Sequence, residues 1–338
     1  MRISVLFGGA SEERDVSIAS ATQVIAALRS RGHEVLAVDT AFGALSTTDE
    51  RRVLTESVAV APPTGTQLKA LPSTSATLRL PAAIGDSDVV FLALHGGSGE
   101  DGRIQALLEL AGLRYTGSGP LGSGLAMDKD VAKTLLRAAG VDTPDWLLAP
   151  TDADRIAQTV GFPVVVKPTA QGSTVGLSVV READGLKSAI EHASQYGTVM
   201  IEKFVRGREL TVGVLDGHPL AIGEIMLPPD RAFSYEDKYQ PFAVREQFPA
   251  DVPVDVAEAA RAAAVQAHEA LRLDGYSRSD FRLDDDGRLW IIETNSLPGL
   301  TSTSLLPQSA AASGITYEEL CERICRLAGP GSRGSSRS

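Results

Sequence analysis

Ser279-Asp280-Phe281-Arg282-Leu283-Asp284-Asp285-Asp286-Gly287-Arg288-Leu289-Trp290-Ile291-Ile292-Glu293-Thr294-Asn295 is two apolar runs joined by an acidic turn. The pattern predicts strands over Ser279–Leu283 and Leu289–Ile292, with Asp284-Asp285-Asp286-Gly287 as the turn of a hairpin. Side chains two apart on a strand share a face, so Asp280, Glu293 and Asn295 are expected to converge on adjacent strands. Two carboxylates and an amide are hard oxygen donors, the kind that Mg²⁺ takes together with water and phosphate oxygens. Glu293 and Asn295 interrupt an apolar run, whereas Asp284 to Asp286 read as a solvated turn.

Outward from this hairpin, strands are predicted over Leu210–Val214 and Ala221–Met226 and a long Ala-rich helix over Val256–Leu271. Upstream, Pro163–Lys167 and Leu177–Val180 flank the Gly/Ser/Thr loop 169–176, which reads as a hairpin lid. Its glycines let backbone N–H groups approach an anion, and Lys167 supplies a point charge at the strand end. Read alone, the loop is equally an ordinary flexible hairpin, and it is not a Walker A sequence. A helix is predicted from Lys129 to Ala139 in a unit that begins near Pro120. Gly117-Ser118-Gly119-Pro120-Leu121-Gly122 matches a dinucleotide fingerprint by letter only, because Pro120 sits inside it and no strand–turn–helix unit precedes it; it reads as a glycine-rich connection.

The N-terminal region predicts an open α/β sheet: a strand over Ile3–Phe7 ending in Gly8-Gly9, a helix from Asp15 to Arg31, and strands over Val35–Val38 and Val89–Leu94. His95-Gly96-Gly97-Ser98-Gly99-Glu100-Asp101-Gly102 follows the last of these, at the carboxyl end where such sheets place ligands. Glu13 lies at the corresponding edge, where a carboxylate is also the ordinary companion of a helix N-terminus. Between these strands, 47–81 reads as an irregular excursion or mobile insertion, and 329–338 has a disordered composition.

The chain has 338 residues, which favours two or three domains, and a net charge of −11 with no basic tract, which argues against nucleic acid. No apolar stretch approaches the roughly 20 residues of a membrane span, and the N-terminus is too short in apolar residues for a signal peptide. A cytoplasmic protein is therefore expected. Cys321 and Cys325, four apart in an amphipathic helix, read as buried small apolar residues.

In order along the chain, these segments resemble the D-alanine:D-alanine ligase family of ATP-grasp enzymes. The resemblance rests on Gly8-Gly9 with Glu12 to Ser17, His95 to Gly102, Tyr115 to Ser118 with Met127-Asp128-Lys129, Lys167 to Gly176, Glu202-Lys203 with Glu209, Tyr235 to Tyr239, Arg278-Ser279-Asp280 and Glu293 to Gly299. It spans nearly all of the chain apart from 47–81 and the tail. It implies a three-domain ATP-grasp architecture, α/β and in parts α+β, with an N-terminal open parallel sheet. The implied units are 1–118 for substrate, 119–203 and 204–328 for ATP, and 329–338 as tail.

On the family pattern Lys129 and Lys167 contact phosphates, Glu202 and Lys203 the adenine, and Glu209 the ribose. Asp280, Glu293 and Asn295 hold two Mg²⁺, with Mn²⁺ as a substitute. Glu13 anchors the first D-amino acid and is linked to Ser173 and Tyr239, while His95 sits beside that substrate. Arg278 and the Gly299 N–H stabilise the oxyanion, and Ser304 binds the second carboxylate. The implied activity is ligation of two D-alanines through an acyl phosphate, by a homodimer, with 169–176 and 228–242 as lids. Gln171 stands where the family often has Glu, and Lys238-Tyr239 resembles members that take an amine as second substrate. Other carboxylate and amine pairs (D-alanine with D-serine, or an antibiotic-pathway amino acid) remain open at this level. So does a nucleotide-binding module without catalysis, against which the intact Asp280, Glu293, Asn295 and Arg278 speak.

Overall fold

The computed structural model describes residues 1–54, 58–59, 63–71, 80–227 and 244–329. Its first layer is a mostly parallel sheet, with a two-residue strand added antiparallel at one edge. β1 (Arg2–Phe7) is flanked by β2 (Glu34–Asp39) and β4 (Val89–Leu92), both parallel to it, and the two-residue β3 (Gly43–Ala44) edges β2. Its central strands are buried on both faces, with α1 (Arg14–Ser30) packed on β1, as parallel sheets require. The predicted strands and helix are thus present, each within a few residues of its expected limits.

The stretch expected to be irregular carries two short helices among its described residues, α2 (Thr47–Val53) and α3 (Gly65–Lys69). Both are local in origin. Ser46 accepts from the Asp49 N–H, and Thr64 forms a reciprocal capping box with Gln67, so hydroxyls compensate for weak apolar periodicity. Two further helices complete this side, α4 (Arg103–Leu110) and α5 (Pro120–Met127). From Pro120 onward the glycine-rich connection is therefore a helix, with Pro120 at its first turn. Gly122 is where α5 touches the Arg272 carbonyl: a Cβ there would lie 2.4 Å from that oxygen.

The second layer has α6 (Lys129–Ala138) leading to an antiparallel sheet in the order β5 (Trp146–Leu148), β8 (Val199–Lys203), β6 (Val164–Pro168), β7 (Ser178–Val180). The helices α7 (Ala153–Thr159) and α8 (Leu186–Ser194) contribute Ile156, Leu186 and Ala189 to its core. β6 and β7 pair antiparallel from Val164↔Val180 to Val166↔Ser178, so loop 169–176 is the tip of a hairpin as the sequence predicts.

The third layer is a five-stranded antiparallel sheet, β11 (Arg245–Gln247), β10 (His218–Met226), β9 (Arg208–Leu215), β12 (Tyr276–Leu283) and β13 (Leu289–Asn295) in that order. The Ala-rich α9 (Val254–Ala270) covers one face through Ala260, Ala264 and Ala267, a row of small residues that lets helix and sheet approach closely. Two last helices, α10 (Leu305–Ala312) and α11 (Tyr317–Leu327), return to the start of the chain. Leu320, Cys321, Ile324 and Cys325 join the core built on β1 and α1. Both cysteines are thus buried apolar side chains, and burial pushes the Cys321 thiol up to about 12. Among the described residues no helix is long and apolar enough to cross a membrane.

Candidate active site

The β12–β13 register sets Asp280 opposite Glu293 and Arg278 opposite Asn295. This is the convergence expected from the sequence. Each Asp280 oxygen is held: Thr211 Oγ1 and Arg278 Nε donate to Oδ1 at 2.7 and 2.9 Å, and Arg278 Nη2 and Asn295 Nδ2 donate to Oδ2 at 2.7 and 3.2 Å. Glu293 faces Lys129 across 3.4 Å. Among the described residues no three His, Cys, Asp or Glu side chains gather as a metal set, so any third protein donor here is the Asn295 amide. Two carboxylates and an amide oxygen with cations already drawn to them suit a divalent oxygen-seeking ion.

Lys129 and Lys167 enter the same cleft from different elements. Lys129 opens α6, where Asp128 caps the helix by accepting from the N–H groups of Asp130 and Val131, and its Nζ donates to the Gln171 carbonyl at 2.7 Å. Lys167, at the end of β6, is buried and donates to Glu202 Oε2 at 2.7 Å. Glu202 Oε1 is taken by Lys133 Nζ at 2.5 Å. The Glu202 carboxylate, expected against an adenine ring, is thus committed to two lysines. Burial raises this carboxyl, yet Lys133 and Lys167 outweigh it and hold it below the usual range. Glu209 pairs with Arg282 at 3.1 Å, and both line the cleft with Lys203. With the solvent at its mouth this cleft measures about 840 Å³.

A second cleft, about 630 Å³ with the solvent at its mouth, adjoins it. It is lined by Glu13, His95, Arg278, Gly299 and Ser304, and the two clefts share Gly172, Ser173 and Glu293 as a common wall. Glu13 ends the approach to α1, and its Oε1 accepts a hydrogen bond from Ser173 Oγ, which joins the first layer to the hairpin tip. Two glycines make room for that carboxylate: a Cβ on Gly96 or on Gly172 would lie 2.7 Å from Glu13 Oε2. Ser173 and Thr174 have φ of 47° and 61°, the left-handed region that non-glycine residues rarely occupy, so the tip is bent toward Glu13 at a local cost.

His95 is buried, with Nδ1 3.1 Å from the Leu297 carbonyl and Nε2 3.0 Å from Ser20 Oγ. A carbonyl only accepts, so Nδ1 carries the proton and, in the neutral ring, Nε2 accepts from Ser20. Ser20 Oγ in turn accepts from the Leu300 N–H at 3.3 Å. The histidine thus ties the carboxyl end of β4 to the loop after β13. In that loop a Gly299 Cβ would lie 3.0 Å from Ser304 Oγ, and Ser304 faces Thr301 Oγ1 at 2.7 Å. Of the expected residues, Tyr239 and the segment 228–242 fall outside the described residues. The sequence reading missed Ser20, Thr211, Lys133 and Arg282; only Lys133, one helical turn after Lys129, carried a periodicity signal.

The D-ala D-ala ligase N-terminus model matches residues 2–118 and the C-terminus model residues 135–326. The chain belongs to this family. D-alanine–D-alanine ligases from Acidiphilium cryptum and Gloeobacter violaceus are 42% and 39% identical to it, over 95% and 96% of this chain and 96% and 98% of theirs. The crystal structure of D-alanine–D-alanine ligase from Bacillus anthracis complexed with ATP superposes with a TM-score of 0.74 at 32% identity, covering 97% of each chain. The three layers are those of the ATP-grasp D-Ala-D-Ala ligases.

Proposed function

We propose that the protein joins two D-alanines into D-alanyl-D-alanine with conversion of ATP to ADP and phosphate, supplying a peptidoglycan precursor. The observation that supports this most directly is the shared wall of the two clefts at Gly172, Ser173 and Glu293. A carboxylate lying in the second cleft then faces the end of a triphosphate lying in the first.

A carboxylate is a poor acyl donor because its leaving group is oxide. Its oxygen attacks the terminal phosphorus of ATP, the bond to the ADP oxygen breaks, and an acyl phosphate results. Such a step gains mainly from positioning and charge neutralisation. Lys129 and Lys167 supply positive charge to the phosphates, Lys203 and Glu202 lie at the adenine end, and Glu209 at the ribose. Asp280, Glu293 and Asn295 are the residues that would hold Mg²⁺, two ions in this reading or Mn²⁺ in their place. Bound there, the metal adds to the neutralisation of the phosphate oxygens.

Glu13, held by Ser173, receives the ammonium of the first D-alanine beside His95, and Ser304 receives the carboxylate of the second. The second amine, once deprotonated, attacks the acyl carbon, and the oxyanion so formed meets Arg278 and the Gly299 N–H before phosphate leaves. Tyr239 and the lid 228–242 belong to the same reading, as do the divisions 1–118, 119–203, 204–328 and 329–338, a cytoplasmic location and a homodimer. ADP release is measured with D-alanine, D-serine and D-lactate separately, with mass spectrometry of the product. ADP release that requires D-alanine, with a D-alanyl-D-alanine mass, is expected. Release independent of D-alanine, or a product containing another amine, would overturn the assignment.

A further inference from the structure

Lys133 lines neither cleft, yet it is 1% exposed and carries an ammonium group. α6 places it one turn beyond Lys129 on its buried face. Its Nζ donates to Thr143 Oγ1 and to Glu202 Oε1, both at 2.5 Å, and lies 5.0 Å from the centre of the Trp146 ring. The other Glu202 oxygen accepts from Lys167 at 2.7 Å. Two ammonium groups therefore share one carboxylate, and the cluster carries a formal charge of plus one. Only Lys167 of the two lysines borders the larger cleft.

We propose that Lys133 is a positioning residue for nucleotide binding: by neutralising Glu202 it leaves the charge of Lys167 uncompensated toward the triphosphate. Without it, Glu202 and Lys167 form a neutral buried pair, and Lys167 both loses its surplus charge and is drawn back toward the carboxylate. The proposal rests on the reading of the larger cleft as the ATP site.

The surroundings of Lys133 favour a group that can lose this role within an accessible pH range. Burial pushes its ammonium down to about 8, against the pull of Glu202, and the like charges of Lys167 on β6 and Arg137 on α6 act in the same direction as burial. Arg137 is itself paired with Asp145 at 2.9 Å, and Asp130 is engaged by the Trp146 Nε1–H at 2.7 Å. The neutral amine predominates above about pH 8, so the surplus charge is present below that pH and fades above it.

The test measures the dissociation constant of a non-hydrolysable ATP analogue with Mg²⁺ by calorimetry, alongside KM for ATP and kcat. Lys133→Met is expected to raise both the dissociation constant and KM about 10- to 100-fold, with kcat within a few-fold. Lys133→Met combined with Glu202→Gln is expected to bind more tightly than Lys133→Met alone, though not as tightly as wild type, because Glu202 also borders the adenine end. Glutamine keeps the shape and an acceptor oxygen but no charge, so Lys167 is again uncompensated. A merely structural lysine gives the opposite result, with the double variant no tighter than the single.

Should Lys133→Met fail to fold, the pH profile decides. Wild-type affinity falls as pH rises through 8 while that of Lys133→Arg stays level; a wild-type profile flat from pH 7 to 9.5 overturns the proposal. If wild type binds no nucleotide, the ATP reading falls and takes this one with it. If wild type binds but Lys133→Met binds equally well, this one alone falls.

Discussion

Glu13 shows how closely single atoms govern this site. Its Oε2 is flanked by Gly96 and Gly172, and its Oε1 by the Ser173 hydroxyl. Gly172 has an ordinary backbone conformation, so Gly172→Ala tests space alone: the new methyl displaces Glu13 or the tip that bears Ser173. kcat/KM for D-alanine is expected to fall about 10- to 100-fold, ~1.4 to 2.8 kcal/mol, at nearly unchanged melting temperature. Since both changes break one contact, adding Ser173→Ala costs little more, and a steady-state kinetic cycle checks this. Arg278→Ala removes the charge that the proposed function assigns to the oxyanion. A loss of about 10²-fold or more in kcat with little change in KM for ATP is expected, the scale found for single oxyanion donors.

The convergence of Asp280, Glu293 and Asn295 was legible in the sequence because strand alternation puts Glu293 and Asn295 on one face and the hairpin register sets Asp280 opposite Glu293. The fate of Glu202 was not legible. Its neighbours Lys133 and Lys167 come from a helix and a strand tens of residues away, and no local pattern encodes such a three-way ion pair.

At the scale of elements, the junction between β4 and the loop after β13 depends on one short relay, Leu300 N–H to Ser20 to His95 to the Leu297 carbonyl. Ser20→Ala leaves a buried N–H and a buried ring nitrogen without their partner. About 1 to 3 kcal/mol of stability is expected to go with them, measured by denaturant unfolding, together with a higher KM for D-alanine. The strands and longer helices were predictable from apolar periodicity. α2 and α3 were missed since their stability lies in hydroxyl caps, and α5 because its glycines resemble a linker until Gly122 is seen against the Arg272 carbonyl.

For the whole molecule, the core around β1 and α1 is completed by α11. Cys321 and Cys325 sit fully inside it, with thiols shifted upward by burial and so poor nucleophiles at neutral pH. Labelling of the native protein by a thiol reagent is expected to be slow and to follow the global unfolding equilibrium, whatever the ligand in the cleft. Rapid stoichiometric labelling in the absence of denaturant would show that α11 detaches on its own.

The same closure of the last helix on the first bears on how the protein is made. Residues 1–118 emerge from the ribosome long before the helix that seals their hydrophobic interior. A nascent or prematurely terminated polypeptide keeps an apolar face of α1 uncovered.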